Sequence, residues 1–256
     1  MSYQQLRKDV FKANLAIKKS GLVLFTWGNV SVIDRSLNVV GIKPSGVPYD
    51  VMKEQDIVIT DLEGNVIDGK LKPSVDLNTH LEIYNNFKDI KSVVHTHSTY
   101  ATAWAQKARS IPLFGTTHAD YFSEKIPCVR YLREEEMETY ELSTGKAIVE
   151  TFEKINYLHV PGCIVSGHGV FAWGNNSENA VYHATTLEEI AKIAYLTETL
   201  PGEKKLLPKH ISNTHYQRKH GKNKTYGQWY DTSKVDKLNN KTFNLILWRY
   251  FIYINI

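Results

Sequence analysis

Two histidines two positions apart, His95 and His97, follow a β-branched pair in Val93-Val94-His95-Thr96-His97-Ser98. On a strand, alternate side chains share a face and each residue advances about 3.3 Å, so the two imidazoles project together, roughly 6 to 7 Å apart at the backbone. That spacing suits chelation, and it also suits a half-buried strand with two polar residues facing a cleft. The surroundings favour the first. Pro73-Ser74-Val75-Asp76 places an acid at the start of an expected helix, and Ser166-Gly167-His168-Gly169 sets a third histidine between glycines after an apolar run. Three imidazoles and a carboxylate, His95, His97, His168 and Asp76, make a candidate divalent-metal site, and nitrogen-rich ligation favours Zn²⁺ over Mg²⁺ or Ca²⁺.

The rest of the chain is read around that strand. An amphipathic helix is expected over 4–19, with Leu6, Val10, Leu15 and Ile17 near helical spacing and Gly21 ending it. Strands follow at 22–26, 30–33 and 39–43, then a hairpin over 57–61 and 65–67. A helix is expected over 74–87, with Ser74 as its N-cap and Asp76 in the first turn. Past the histidines come a helix over 98–108, strand and loop over 111–131, a short acidic helix near 134–136 and a helix over 144–154. Strands at 163–165 and 170–172 flank His168, and a last long helix runs over 177–199. Strands clustered among helices, joined by hairpins, imply an α/β chain whose mainly antiparallel sheet is covered by helices.

A set of motifs in order gives a resemblance. Thr26-Trp27-Gly28-Asn29-Val30-Ser31, Lys43-Pro44-Ser45-Gly46, Val94-His95-Thr96-His97-Ser98, Thr116-Thr117-His118-Ala119-Asp120-Tyr121-Phe122, His168-Gly169-Val170-Phe171-Ala172-Trp173-Gly174 and, near the end, His215 through Gly221 with Tyr226-Gly227-Gln228 resemble the L-ribulose-5-phosphate 4-epimerases of the class II aldolase/adducin family. The resemblance implies a three-layer α/β/α sandwich assembled as a homotetramer with shared active sites. It also implies a small sugar-phosphate substrate and zinc as the cofactor. The implied reaction is retro-aldol cleavage between carbons 3 and 4, rotation of the glycolaldehyde phosphate released within the site, and re-addition with the opposite configuration.

The resemblance places Asp120 and Tyr226 as the two proton carriers on opposite sides of the carbon 4 oxygen. It places Gly28, Asn29, Lys43, Ser45, Gly46, Ser74, Val75 and His215 around the phosphate, where cations, oriented N–H groups and a helix start suit an anion. Each also has an ordinary structural use: Gly46 in a turn, Ser74 as a cap, Asp120 on a backbone amide. His215 matches a family histidine near the phosphate or the catalytic tyrosine, and Thr116 and Glu141 fall near the site without an assigned role. Val75 departs from the pattern. Similar epimerases carry a second serine there, so a hydroxyl contact is lost while the backbone N–H remains. Two rivals are a class II sugar-phosphate aldolase, which typically has Glu where this chain has Asp76, and a non-catalytic adducin-like scaffold, which is expected to lack the metal histidines.

Composition narrows the remaining classes. The 256 residues, 42% hydrophobic, suffice for one domain with a substantial core. The expected domain is 1–228, with 229–256 an atypical extension, disordered or loosely docked, that follows no family pattern. The net charge of +4 conceals an asymmetry: residues from 201 carry 11 basic and 3 acidic groups, a balance of +8, leaving −4 for the first 200. That basic end lacks a nucleic-acid motif, and Lys204 and Lys205 read as solvated surface, so no nucleic-acid partner is expected. Without a run of eighteen apolar residues or a signal-like N-terminus, no membrane association is expected and the protein reads as cytoplasmic. Cys128 and Cys163 read as buried thiols, with a disulfide left open by their spacing. His80, His159, His183 and His210 read as ordinary polar residues.

Overall fold

The computed structural model describes residues 3–222 and 224–225. Two units are distinguished, Met1–Tyr216 and Gln217–Ile256. The expected boundary after residue 228 lies outside the described residues. The first unit is built on one eight-stranded sheet of order β4-β3-β2-β1-β5-β8-β7-β6. Its strands are β1 (Gly28–Asp34), β2 (Val39–Ile42), β3 (Val58–Thr60), β4 (Val66–Asp68), β5 (Ser92–Thr96), β6 (Cys128–Val129), β7 (Gly162–Val165) and β8 (Val170–Gly174). Every pairing is antiparallel except β6 with β7.

Helices cover both faces. Helix α1 (Gln4–Lys19) and the first turns of α6 (Ser177–Thr199) pack with Val30, Val39, Ile59, Val94 and Ala172. Helices α2 (Leu77–Asn86), α3 (Thr99–Gln106) and α5 (Tyr140–Thr151) pack with Val40, Val58, Val93, Phe171 and Trp173. Neighbours in sequence such as Val93 and Val94, or Phe171 and Ala172, thus enter opposite cores. That is the period of two expected of strands buried on both faces. The result is the three-layer α/β/α architecture anticipated from the sequence. A short α4 (Thr116–Ala119), a last helix, α7 (Lys209–His220), and two 3-10 helices at Glu54–Asp56 and Glu134–Thr139 complete the described elements.

Three local expectations are corrected. Residues 22–26 form no strand: α1 ends with Leu22 N–H bonded to the Ile17 carbonyl, and Trp27 N–H closes a turn on the Leu24 carbonyl. Phe25 sits at φ 49 inside that turn, which a strand excludes. The segment Thr116–Ala119 is a helical turn rather than strand or loop. Ser74 is not a helix cap, since α2 begins at Leu77 and the Ser74 hydroxyl is committed to the Asp76 carboxylate. Helix α7 had no counterpart in the sequence reading. Both cysteines are free, Cys163 buried and Cys128 half-buried. No described helix is long and apolar enough to cross a membrane.

One buried clamp fixes the central strand β1, which carries Asn29 of the candidate site. Asn14, fully buried on α1, donates from Nδ2 to the Val10 and Val30 carbonyls and accepts the Val30 N–H at 2.9 Å. Truncating it would strand a buried N–H, at a cost of about 1–3 kcal/mol.

Candidate metal centre

Strand pairing brings the distant histidines together. Strand β5 ends at Thr96, so His95 is its penultimate residue and His97 lies just beyond it. Thr96 is opposite Val170 in the register, which sets the β7–β8 turn holding His168 against the end of β5. The turn is closed by Val165 N–H on the Gly169 carbonyl at 2.8 Å. One nitrogen from each of His95, His97 and His168 then lies within 4.8 Å of the others. The site depends on two close approaches. A Cβ on Gly169 would lie 2.6 Å from the Thr96 carbonyl oxygen, and one on Gly28, at φ +134, would lie 2.6 Å from the His95 carbonyl oxygen.

A hydrogen bond fixes one of the rings. His95 donates from Nδ1 to the Val170 carbonyl at 2.9 Å, so its Nε2 carries a lone pair. The Nε2 of His97 stands 3.1 Å from that of His95. Two ring nitrogens at that distance either share a proton or flank a cation. Nitrogens bound at 2.0–2.1 Å to a tetrahedral ion stand about 3.3 Å apart, so the donor set fits a zinc-sized ion. Burial, followed by the charge of neighbouring imidazoles, lowers His97 and His168 to about 4. Both are therefore neutral, as ligands must be, at physiological pH.

Asp76 stands at the edge of this triplet, with Oδ1 4.0 Å from His95 Nε2. Its Oδ2 accepts from Asn29 Nδ2 at 2.7 Å and from the Ser74 hydroxyl at 3.2 Å, and Asn29 also donates to Ser74. Asn29 is placed there by its register opposite His95. Burial pushes the Asp76 carboxyl up, but the His95 and His80 imidazoles and the Asn29 amide outweigh it and leave it below the ordinary value. His80, one helical turn after Asp76, was read as an ordinary polar residue. It is fully buried, its Nδ1 lies 2.7 Å from the Ser31 hydroxyl, and burial lowers it to about 3. The i, i+4 spacing from Asp76 was the signal available for it.

The anion-binding candidates divide. Lys43 is only 2% exposed, with Nζ donating to the Pro44 carbonyl and lying 4.9 Å from the centre of the Tyr49 ring. Burial lowers it to about 8. Tyr49 in turn donates to the Gly28 carbonyl at 2.6 Å, and Ser74 N–H bonds the Lys43 carbonyl. Gly28, Asn29, Lys43, Ser74 and Asp76 are therefore one connected group. Ser45 and Gly46 lie in an exposed turn, with Gly46 at φ +69, and Val75 is 65% exposed.

Asp120 and His215 form a pair of their own, Oδ1 to Nδ1 at 3.0 Å, although 95 residues separate them. His118 is structural in its contacts: buried, bonded to the Glu124 carbonyl and lowered by burial to about 4. Tyr226 lies outside the described residues. Tyr140, unmarked by any motif, has its hydroxyl 3.2 Å from His168 Nδ1.

Comparison with known proteins identifies the family. The family model for the class II aldolase and adducin N-terminal domain matches residues 8–195. An L-fuculose 1-phosphate aldolase superposes with a TM-score of 0.72 at 26% identity, covering 85% of this chain and 97% of that one. The L-fuculose-1-phosphate aldolase of Thermus thermophilus gives 0.59 at 25% identity, covering 76% and 96%. YgbL of Escherichia coli, a candidate aldolase/epimerase/decarboxylase, gives 0.67 at 21%, covering 83% and 98%. With a family match over most of its length, an eight-stranded sheet of this order and three imidazoles able to hold a metal ion at the end of β5, the chain belongs to the class II aldolase and adducin family.

Proposed function

We propose that this chain is a zinc-dependent L-ribulose-5-phosphate 4-epimerase that produces D-xylulose 5-phosphate. His95, His97, His168 and Asp76 would hold the ion, which supplies Lewis acidity toward the keto and neighbouring hydroxyl oxygens of the sugar. Lys43, with the backbone of the connected Gly28–Asn29 and Ser74 segments, binds the phosphate and so fixes where carbon 4 lies. The exposed turn of Ser45 and Gly46 and the N–H of Val75 complete that cradle.

Cleavage of the bond between carbons 3 and 4 requires the carbon 4 hydroxyl to lose its proton, and re-addition on the other aldehyde face requires a proton returned from the other side. Asp120 and Tyr226 fill these two roles. The observation that carries the reading beyond simple cleavage is the His215 imidazole at 3.0 Å from Asp120, which orients a carboxylate distinct from the metal-binding set. The shared-site tetramer expected of the resemblance lets Tyr226 of a neighbouring copy serve the second face.

An aldolase that releases its fragments is the second reading, favoured by the L-fuculose 1-phosphate aldolase among the similar structures. One assay separates the two. Zinc-loaded protein incubated with L-ribulose 5-phosphate should yield D-xylulose 5-phosphate. Accumulation of glycolaldehyde phosphate with dihydroxyacetone would assign the aldolase instead.

A further inference from the structure

The three imidazoles differ in how their second nitrogen is held. His95 gives its Nδ1–H to a backbone carbonyl, a partner that can only accept, so its tautomer is fixed, and His97 meets the Nε2 of His95. His168 meets a hydroxyl instead, that of Tyr140, which can donate or accept. If the phenol donated to Nδ1, the proton of His168 would sit on Nε2 and block that nitrogen as a ligand. If the phenol accepts, Nε2 is free and the phenol's own proton is left for another acceptor.

We propose that Tyr140 is the positioning residue for His168, its oxygen accepting the Nδ1–H so that Nε2 faces the metal while the phenol proton is offered to an oxygen of the bound sugar phosphate. The inference rests on the metal reading above and extends it to a residue outside the family motifs. Tyr140 is well placed for a fixed role. It is the first residue of α5, and the buried Thr79 of α2 donates to the carbonyl of the adjacent Glu141 at 2.6 Å, tying the start of α5 to the helix that begins beside Asp76. The phenol has a single proton, and that proton can serve only one acceptor at a time.

The test is the zinc affinity of the full-length chain, measured by chelator competition with zinc alone, for the wild type, Tyr140→Phe and His168→Ala. Loss of an outer partner that orients a ligating imidazole costs about 10–100-fold in metal affinity. Tyr140→Phe should therefore bind zinc at least tenfold more weakly, while its metal-free melting temperature stays that of the wild type. At saturating zinc its kcat should fall with KM little changed. An affinity equal to or tighter than wild type would mean that the phenol donates to His168, and would overturn the inference. A parallel fall in metal-free stability would reduce Tyr140 to a packing residue and overturn it too. Unchanged affinity in His168→Ala would instead refute the metal reading beneath it.

Discussion

Gly169→Ala tests whether the histidine cluster is set by backbone packing between β5 and the turn that carries His168. The substitution adds one methyl group, whose carbon would lie 2.6 Å from the Thr96 carbonyl oxygen, 3.4 Å from His95 Cε1 and 3.5 Å from His97 Nδ1. The nearest of these is backbone, held by the pairing of Thr96 with Val170, so no side chain can swing away. Reaching ordinary contact means opening the strand ends by about 0.8 Å, beyond the roughly 0.5 Å tolerance of a ligand constellation. Overpacking of this kind costs about 1–3 kcal/mol. At about 2–4 °C per kcal/mol for a domain of this size, the metal-free protein should melt several degrees lower. Zinc affinity should fall by at least tenfold, since His168 is carried by the displaced turn. Thermal unfolding and chelator competition read the two effects separately. A variant with wild-type melting temperature and wild-type zinc affinity would refute the close approach and the dependence of the cluster on it.

Three further outcomes are expected. His97→Ala should lose most bound zinc and activity while keeping the fold, which elemental analysis and circular dichroism check; full metal content would show the ligand set to be misassigned. Lys43→Met should raise the Michaelis constant by an order of magnitude or more and abolish inhibition by inorganic phosphate, as expected on losing a buried cation that pairs a dianion; normal phosphate inhibition would remove Lys43 from the phosphate site. Asp120→Asn and Tyr226→Phe should each be nearly inactive; if the chain forms the proposed tetramer with shared sites, random mixed tetramers should recover toward roughly a quarter of wild-type activity, because such a cyclic site pairs two intact residues that often, and no recovery in verified mixed tetramers would place both residues in one subunit's site.

The parts of this molecule legible in its sequence are those governed by local periodicity or by short-range chemistry. The alternation at Val93 and Val94 and the apolar spacing of α1 announce a doubly covered sheet, and three histidines among β-branched and glycine residues announce a cluster. The long-range parts were less accessible. Asp120 and His215 meet across 95 residues, a distance at which spacing carries no information. Tyr140 approaches His168 only because α5 packs on α2, and nothing in the acidic run before it marks a hydroxyl aimed at an imidazole. The strand expected at 22–26 failed because composition was read without its backbone: Leu22 and Val23 are both buried, while Leu24 and Phe25 are 62% and 76% exposed. Adjacent buried residues followed by adjacent exposed ones follow a turn, not a pleat.

Burial of the histidines also fixes how the protein responds to acid. His80 is lowered to about 3, and His97, His118 and His168 to about 4, in each case first through burial. An unfolded chain would protonate them near 6.5, so between pH 6.5 and about 4 the unfolded state binds more protons than the folded one. The stability conferred by neutral, buried imidazoles is therefore present above about 6.5 and is lost as pH falls toward 4. With three to four protons taken up on unfolding near pH 5, the slope is on the order of 4–5 kcal/mol per pH unit. The same shifts govern metal binding in the folded state. At pH 6 neither His97 nor His168 carries a proton to release, so zinc binding should liberate at most about one proton per ion, against roughly two for three ordinary imidazoles. Titration calorimetry of the metal-free protein in buffers of different ionisation enthalpy counts these protons directly. Release of two or more at pH 6 would show that the imidazoles are protonated before the metal arrives, and the cluster would not be the neutral, preformed ligand set described above.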